Sequence, residues 1–285
     1  MKINLMRNYK SLAIALFSAL TALLALTACH NDDPMLTPPA KLAICPALPS
    51  GGNAPLKSVS HNGNIDDCYD WTLTYGDNRL MNASGTRRNS NASADYNYSY
   101  SLTLTYDSKG VYISHSDGNT ISVALDGENH ITWMQYGANT YTFSYAAGRL
   151  NSWQKTETTT SLGQTAQYTS KGLFTRNAAG DLVSILYTDT RGKVTQVTLT
   201  PSSLTNPNGL LPETVGKEMG IDGFEALYYA GLLGVPAPHL TESISKKIDG
   251  KEEAETTDFS YSQRGGNTVL CTYKNGSVAV NYGYY

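Results

Sequence analysis

The stretch Tyr96-Asn97-Tyr98-Ser99-Tyr100-Ser101-Leu102-Thr103-Leu104-Thr105-Tyr106 alternates without a break. Tyr or Leu stands at every even position and Asn, Ser or Thr at every odd one. Successive side chains of an extended chain point to opposite faces. This run therefore has one apolar face and one hydroxyl-rich face, the pattern of an antiparallel strand wetted on one side. Tyr141, Phe143 and Tyr145 repeat it, as do Val278, Val280, Tyr282 and Tyr284. Turn clusters such as Asp107-Ser108-Lys109-Gly110, Asp126-Gly127-Glu128-Asn129, Gly137-Ala138, Asn177-Ala178-Ala179-Gly180 and Arg191-Gly192 separate the runs. They supply the reversals that hairpins require. The spacing predicts a mostly β fold of roughly a dozen strands joined as neighbours, a large antiparallel meander sheet or a barrel-like fold. Periodicity leaves open which face is inside, and so whether such a barrel spans a membrane.

One segment departs from this rhythm. Asp222 to Gly234 predicts a short helix, with Asp222 and Glu225 at capping-box spacing. Phe224, Leu227, Tyr228, Gly231 and Leu232 share a face, and Gly234 and Pro236 provide a stop. A lone amphipathic helix among strands has to bury its apolar face against the sheet or in a barrel end.

The amino terminus carries an address. Lys2, Arg7 and Lys10 precede an uncharged, largely apolar run from Ser11 to Ala28, as in a secretory signal peptide. Leu26-Thr27-Ala28-Cys29 resembles a lipobox, which places cleavage between Ala28 and Cys29 and a diacylglycerol on the Cys29 thiol. Several acyl chains on one residue anchor stably, at roughly 0.8 kcal/mol per buried CH₂. His30-Asn31-Asp32-Asp33 resembles the acidic surface-export signal of Bacteroidetes lipoproteins. Pro34, Pro38, Pro39, Pro46, Pro49, Gly51, Gly52 and Pro55 then make a spacer. The expected organisation is a signal peptide over 1–28, a lipidated, Pro/Gly-rich tether over 29–58 and a single antiparallel β domain over 59–285.

A net charge of -3 gives no basic footprint for nucleic acid. Charged residues make up 16% of the chain and there are 20 tyrosines, which suits sheet surfaces better than helices. With Cys29 lipidated, Cys45, Cys68 and Cys271 remain. Cys271 lies between Val269 and Tyr273 on one strand face and is expected to be a buried free thiol. Cys45 and Cys68 are then the pair available for a disulfide that staples tether to domain.

The lipobox, the proline-rich tether, hairpins such as Tyr106-Asp107-Ser108-Lys109-Gly110 and Tyr145-Ala146-Ala147-Gly148-Arg149-Leu150, and Leu227-Tyr228-Tyr229-Ala230-Gly231-Leu232-Leu233-Gly234 followed by His239-Leu240 carry a resemblance. From about Trp71 to Tyr285 the chain resembles a Bacteroidetes lipoprotein family, the domain of unknown function numbered 4595, which has a porin-like β fold. The hairpins also resemble the tyrosine–aspartate repeats of Rhs-type proteins. The resemblance implies architecture and an outer-membrane location, facing the periplasm or the cell surface, reached through the lipid anchor, and it assigns no functional residue.

Motifs with chemistry are scarce. Ser243-Ile244-Ser245-Lys246 has Ser-x-x-Lys spacing, which in penicillin-recognising enzymes requires a helix. His115 beside Ser114 and Asp117 would need strand neighbours to share a face. Asn62, Asn64, Asp66 and Asp67 lack the Gly and distal Glu of a calcium loop. No catalytic residue, metal site or cofactor is assigned. Trp71, Trp133 and Trp153 are the candidate ligand-stacking residues, since aromatic faces pack on sugar rings and lipid. The expected role is non-enzymatic binding of glycan, lipid or an envelope protein. The alternatives are a glycan hydrolase with two carboxylates in a cleft, or a structural envelope component.

Overall fold

The computed structural model describes residues 55–63, 68–77, 79–88, 99–107, 110–116, 118, 120–161, 163–206, 209–210, 224–252, 256–263, 268–273 and 276–285. They form one antiparallel sheet of eighteen strands. Its first half comprises β1 (Leu56–Asn62), β2 (Cys68–Gly76), β3 (Arg79–Arg88), β4 (Ser99–Asp107), β5 (Gly110–His115), β6 (Thr120–Leu125), β7 (Ile131–Tyr136), β8 (Asn139–Ala146) and β9 (Arg149–Ser161). The second half comprises β10 (Gln164–Arg176), β11 (Leu182–Thr188), β12 (Val194–Thr205), β13 (His239–Ile248), β14 (Lys251–Glu252), β15 (Thr257–Asp258), β16 (Ser260–Gln263), β17 (Thr268–Tyr273) and β18 (Val278–Tyr284). Each strand from β1 to β13 pairs with the next. β13 pairs with β15, β16 with β17, β17 with β18, and β18 returns to β1. The meander is thus nearly closed into a barrel, with its join at the short strands β14 to β16. The strand count exceeds the expected dozen, in part because these three short pieces are below the length at which alternation is readable. Leu56 to Ser58, expected in the tether, open β1 instead.

The turns repeat one design. Asp126, Asn177 and Asp189 each begin a reversal closed by backbone hydrogen bonds to the residue four further on, His130, Asp181 and Lys193. The side-chain Oδ1 of each accepts the N–H groups two and four residues ahead. The fourth turn residue takes positive φ, at Asn129, Gly180 and Gly192. This is a type I turn followed by a left-handed residue, a common hairpin connection.

The alternation now acquires a direction. Leu102, Leu104, Ile113, Tyr141, Phe143, Trp153, Phe174, Ile185, Val197, Leu199, Val278 and Val280 belong to one buried cluster inside the barrel. Their strand neighbours Thr103, Thr105, Ser114, Thr142, Ser144, Gln154, Thr175, Gln196, Thr198 and Thr200 are exposed outside. A membrane-spanning barrel has an apolar outer band and a polar lumen. This barrel has the opposite polarity. Lys155 and Glu157, on the same side of β9 as Trp153, pair with each other at 2.5 Å, away from the dry centre.

Two tryptophans make the core close-packed. Trp71 lies directly across from Gly85, and Trp153 from Gly172. A Cβ at Gly85 would stand 2.7 Å from Trp71 Cζ3, and one at Gly172 only 2.3 Å from Trp153 Nε1. Each indole lies across a glycine backbone, an arrangement that fills the gap a strand glycine leaves.

The helix fills the interior, but it is shorter than expected. Helix α1 is Phe224–Tyr229. Gly231, not Gly234, provides its stop. Leu232 N–H donates to Leu227 O and Gly231 N–H to Tyr228 O, with Gly231 at φ 77. These are the two bonds of a Schellman stop. The chain from Ala230 to Gly234 then continues as an irregular plug. Ala226, Leu227, Ala230, Leu232 and Leu233 are buried. Ile131 N–H donates to Leu232 O, which Tyr145 Oη also reaches at 3.4 Å, and just past the plug Val235 N–H donates to Gly148 O. The plug's backbone is therefore hydrogen-bonded although it carries no regular structure, as burial requires.

Candidate ligand groove on the outer face

Side chains directly opposite each other on antiparallel strands share a face. The registers of β7 to β11 therefore place Trp133, Thr142, Gln154, Lys171 and Thr188 in one row across the outside. Ser144, Ser152, Leu173 and Leu186 form the adjacent row. Between the rows over β8 to β11 lies a groove of about 390 Å³. Its floor is the cross-strand pair Leu173–Leu186, which are 48% and 42% exposed, an uncommon cost on a wet face. Its rim is polar. Ser144 Oγ and Ser152 Oγ are 2.7 Å apart, and Thr142, Gln154, Lys171 and Thr188 complete the lining. Lys171 is the one charged residue of the lining, and among the described residues it has no ion-pair partner. An apolar floor with a few placed polar groups is the composition of a small-molecule site, and the volume lies at the lower end of the usual range, about 300 Å³ upward. The hydroxyl, amide and ammonium groups offer hydrogen bonds to a polar ligand, while the leucines take its apolar side.

The three tryptophans divide. Trp71 and Trp153 are 3% and 2% exposed, and their rings are taken up by the glycine contacts inside the barrel. Trp133 is half-buried on the outer face, one strand from Thr142 at the groove's edge. A second hollow, about 330 Å³, lies among β12, β13, β16 and β17. Its buried Asn206 is committed to backbone groups of Leu210 and Ala237.

Three histidines share an arrangement that distant sequence positions conceal. His61 N–H donates to Asp70 Oδ1 at 2.8 Å, with Nδ1 3.0 Å from the same oxygen. His130 N–H donates to Asp126 Oδ1, with Nδ1 3.3 Å from Oδ2. His239 N–H donates to Asp181 Oδ1, with Nδ1 3.0 Å from Oδ2. In each case one carboxylate holds both the backbone and the ring of one histidine. Burial works against ionisation of Asp181. The His239 ring, the Asn177 amide and the His239 backbone N–H outweigh it and hold the carboxyl below its ordinary range. These pairs brace strand ends. Only Asp126 and His130, four apart in one turn, were close enough to be found by spacing.

Cys271 is buried and, among the described residues, in no disulfide, as expected. Ala28, Cys29 and Cys45 lie outside the described residues, as do Asn64, Asp66, Asp67 and Asp117. Ser243 and Lys246 lie on strand β13, not on a helix. His115 leans on Tyr136, with ring centroids 5.5 Å apart. Among the described residues no three His, Cys, Asp or Glu side chains converge as metal ligands. No helix among them is long and apolar enough to cross a membrane.

No family model and no curated protein matches this chain. Solved structures do. A porin-like protein from Bacteroides vulgatus is 8% identical, with a TM-score of 0.46 over 81% of this chain and 99% of that one. A porin-like protein from Bacteroides uniformis is 19% identical, with a TM-score of 0.61, and the match covers 82% of this chain and 99% of that one. The barrel described above is therefore a porin-like β fold, built here with its apolar face turned inward.

Proposed function

We propose that this chain is a lipid-anchored envelope protein that holds a glycan, or a similarly amphipathic small ligand, in the groove over β8 to β11 and does not cleave it. The Leu173–Leu186 pair carries this reading. Two adjacent leucines on an otherwise hydroxyl-rich surface have no packing role in the barrel, whereas a sugar ring has one apolar face and a hydroxylated edge that match this floor and rim. Trp133, at the end of the same row, offers an aromatic face for a further ring. The lipobox at Cys29, the acidic cluster after it and the Pro/Gly-rich spacer support placement at the outer membrane. So does the likeness to the porin-like protein from Bacteroides uniformis. The water-compatible outer face supports attachment through the lipid rather than through the strands. A shallow groove gives weak affinity, because affinity depends on desolvated contact.

A glycan array run beside a panel of chromogenic hydrolase substrates tests the proposal. The expected result is weak glycan binding, lost in a Leu173→Ser, Leu186→Ser double variant and reduced in Trp133→Ala, with no turnover. Turnover abolished by changing one carboxylate or serine would replace the binding reading with a hydrolase. Silence in both assays would leave a structural envelope component.

A further inference from the structure

Arg149 opens β9 and Arg176 closes β10, and both converge on the turn that ends at Gly180. A Cβ at Gly180 would lie 3.0 Å from Arg149 Cζ, so the Arg149 guanidinium is packed against that residue's backbone. Arg176 Nη1 donates to Gly180 O at 3.1 Å, and its Nη2 to Leu150 O at 3.3 Å. The β9–β10 register, continued three residues past Leu173↔Ser152, sets the two arginines opposite each other. Both are half-buried. The Nε atoms of both are fully buried, and among the described residues neither finds a hydrogen-bond acceptor. Neither guanidinium has a carboxylate within ion-pair distance there. The adjoining carboxylate, Asp181, is already held by His239 and Asn177. Tyr228 of α1 is near enough to feel the charge of the same two arginines.

Two like charges drawn together and partly desolvated are costly unless an opposite charge joins them. Guanidinium forks match the geometry of oxyanions. We infer that Arg149 and Arg176 form a binding site for an oxyanionic group, a carboxylate or sulfate, at the plugged end of the barrel. The site is separate from the outer groove and uses different side chains. A ligand carrying both a neutral ring and an acidic group would therefore be read at two places.

Isothermal titration and thermal unfolding of the mature protein with sodium sulfate, galacturonate, galactose or chloride, at matched ionic strength, test this. Sulfate or galacturonate should bind saturably at millimolar concentration and raise the unfolding midpoint by roughly 2–4 °C at high occupancy, as ligation of the folded state requires. Galactose and chloride should not. Arg149→Gln, whose side chain makes no hydrogen bond to be lost, should stay folded and lose the effect at least tenfold in affinity. Arg149→Lys, which keeps the charge but not the fork, should retain only part of it. Absence of a saturable effect from both anions, or an equal effect in Arg149→Gln, would overturn the site. Neutral-glycan binding by the outer groove is unaffected by Arg149→Gln in either case, so the two proposals fail separately.

Discussion

The inner and outer faces of β8 to β11 belong to the same residues in sequence and obey different rules. Inside, Phe143, Trp153, Gly172, Phe174 and Ile185 interlock so closely that one glycine cannot accept a methyl group. Outside, Thr142, Ser144, Gln154, Leu173 and Leu186 are exposed, and Thr188 is half-buried. The inside sets stability because close-packed interiors feel each added or missing methylene. The outside is free of that demand, so an unusual residue there reports on contact with something else.

The contrast can be broken in graded steps. The largest effect is expected at the plug. Leu227 is 1% exposed, and Leu227→Ala should lower stability by about 2–5 kcal/mol through lost burial and a residual cavity. An unchanged denaturant midpoint would mean that the plug is not part of the core. Next comes Gly172→Ala. Trp153, enclosed on all sides, has little room to withdraw from the new Cβ, and the expected cost is about 1–3 kcal/mol. A neutral result in chemical unfolding would show that the indole can slide, and that the core is looser than the contact distances indicate. Smallest is the outer pair. Leu173→Ser with Leu186→Ser should stay within about 0.5 kcal/mol per site, while ligand binding disappears. Loss of several kcal/mol would turn the two leucines into structural residues and remove the reason for proposing a groove.

Much of this was written in the chain. The Tyr96 to Tyr106 alternation announced strand β4, and Cys271 between Val269 and Tyr273 announced a buried thiol. Burial direction was not legible, because period two divides residues into faces without naming the interior. A helix here was readable, but its end was not, and the Asp222 cap lies outside the described residues. Gly231 and Gly234 both suit a stop, and the choice falls to the residue whose neighbour Leu232 donates its N–H back to Leu227 O. The groove left a faint trace. Leu173-Phe174 and Ile185-Leu186 each place two apolar residues side by side, violating the alternation at positions that face each other across β10 and β11. Recognising that coincidence needs the register. The His–Asp braces left less, since Asp181 and His239 stand 58 residues apart.

The central proposal is that this barrel, filled by apolar side chains within and polar without, is held at a membrane by lipid alone. It is tested most directly by secreting residues 30–285 behind an ordinary cleavable signal sequence, without Cys29, and fractionating the cells. The account predicts recovery in the soluble periplasmic fraction without detergent, as a monodisperse, β-rich protein that unfolds cooperatively. Retention in carbonate-washed membranes, with release only by detergent, would contradict it and make the strands themselves the membrane contact.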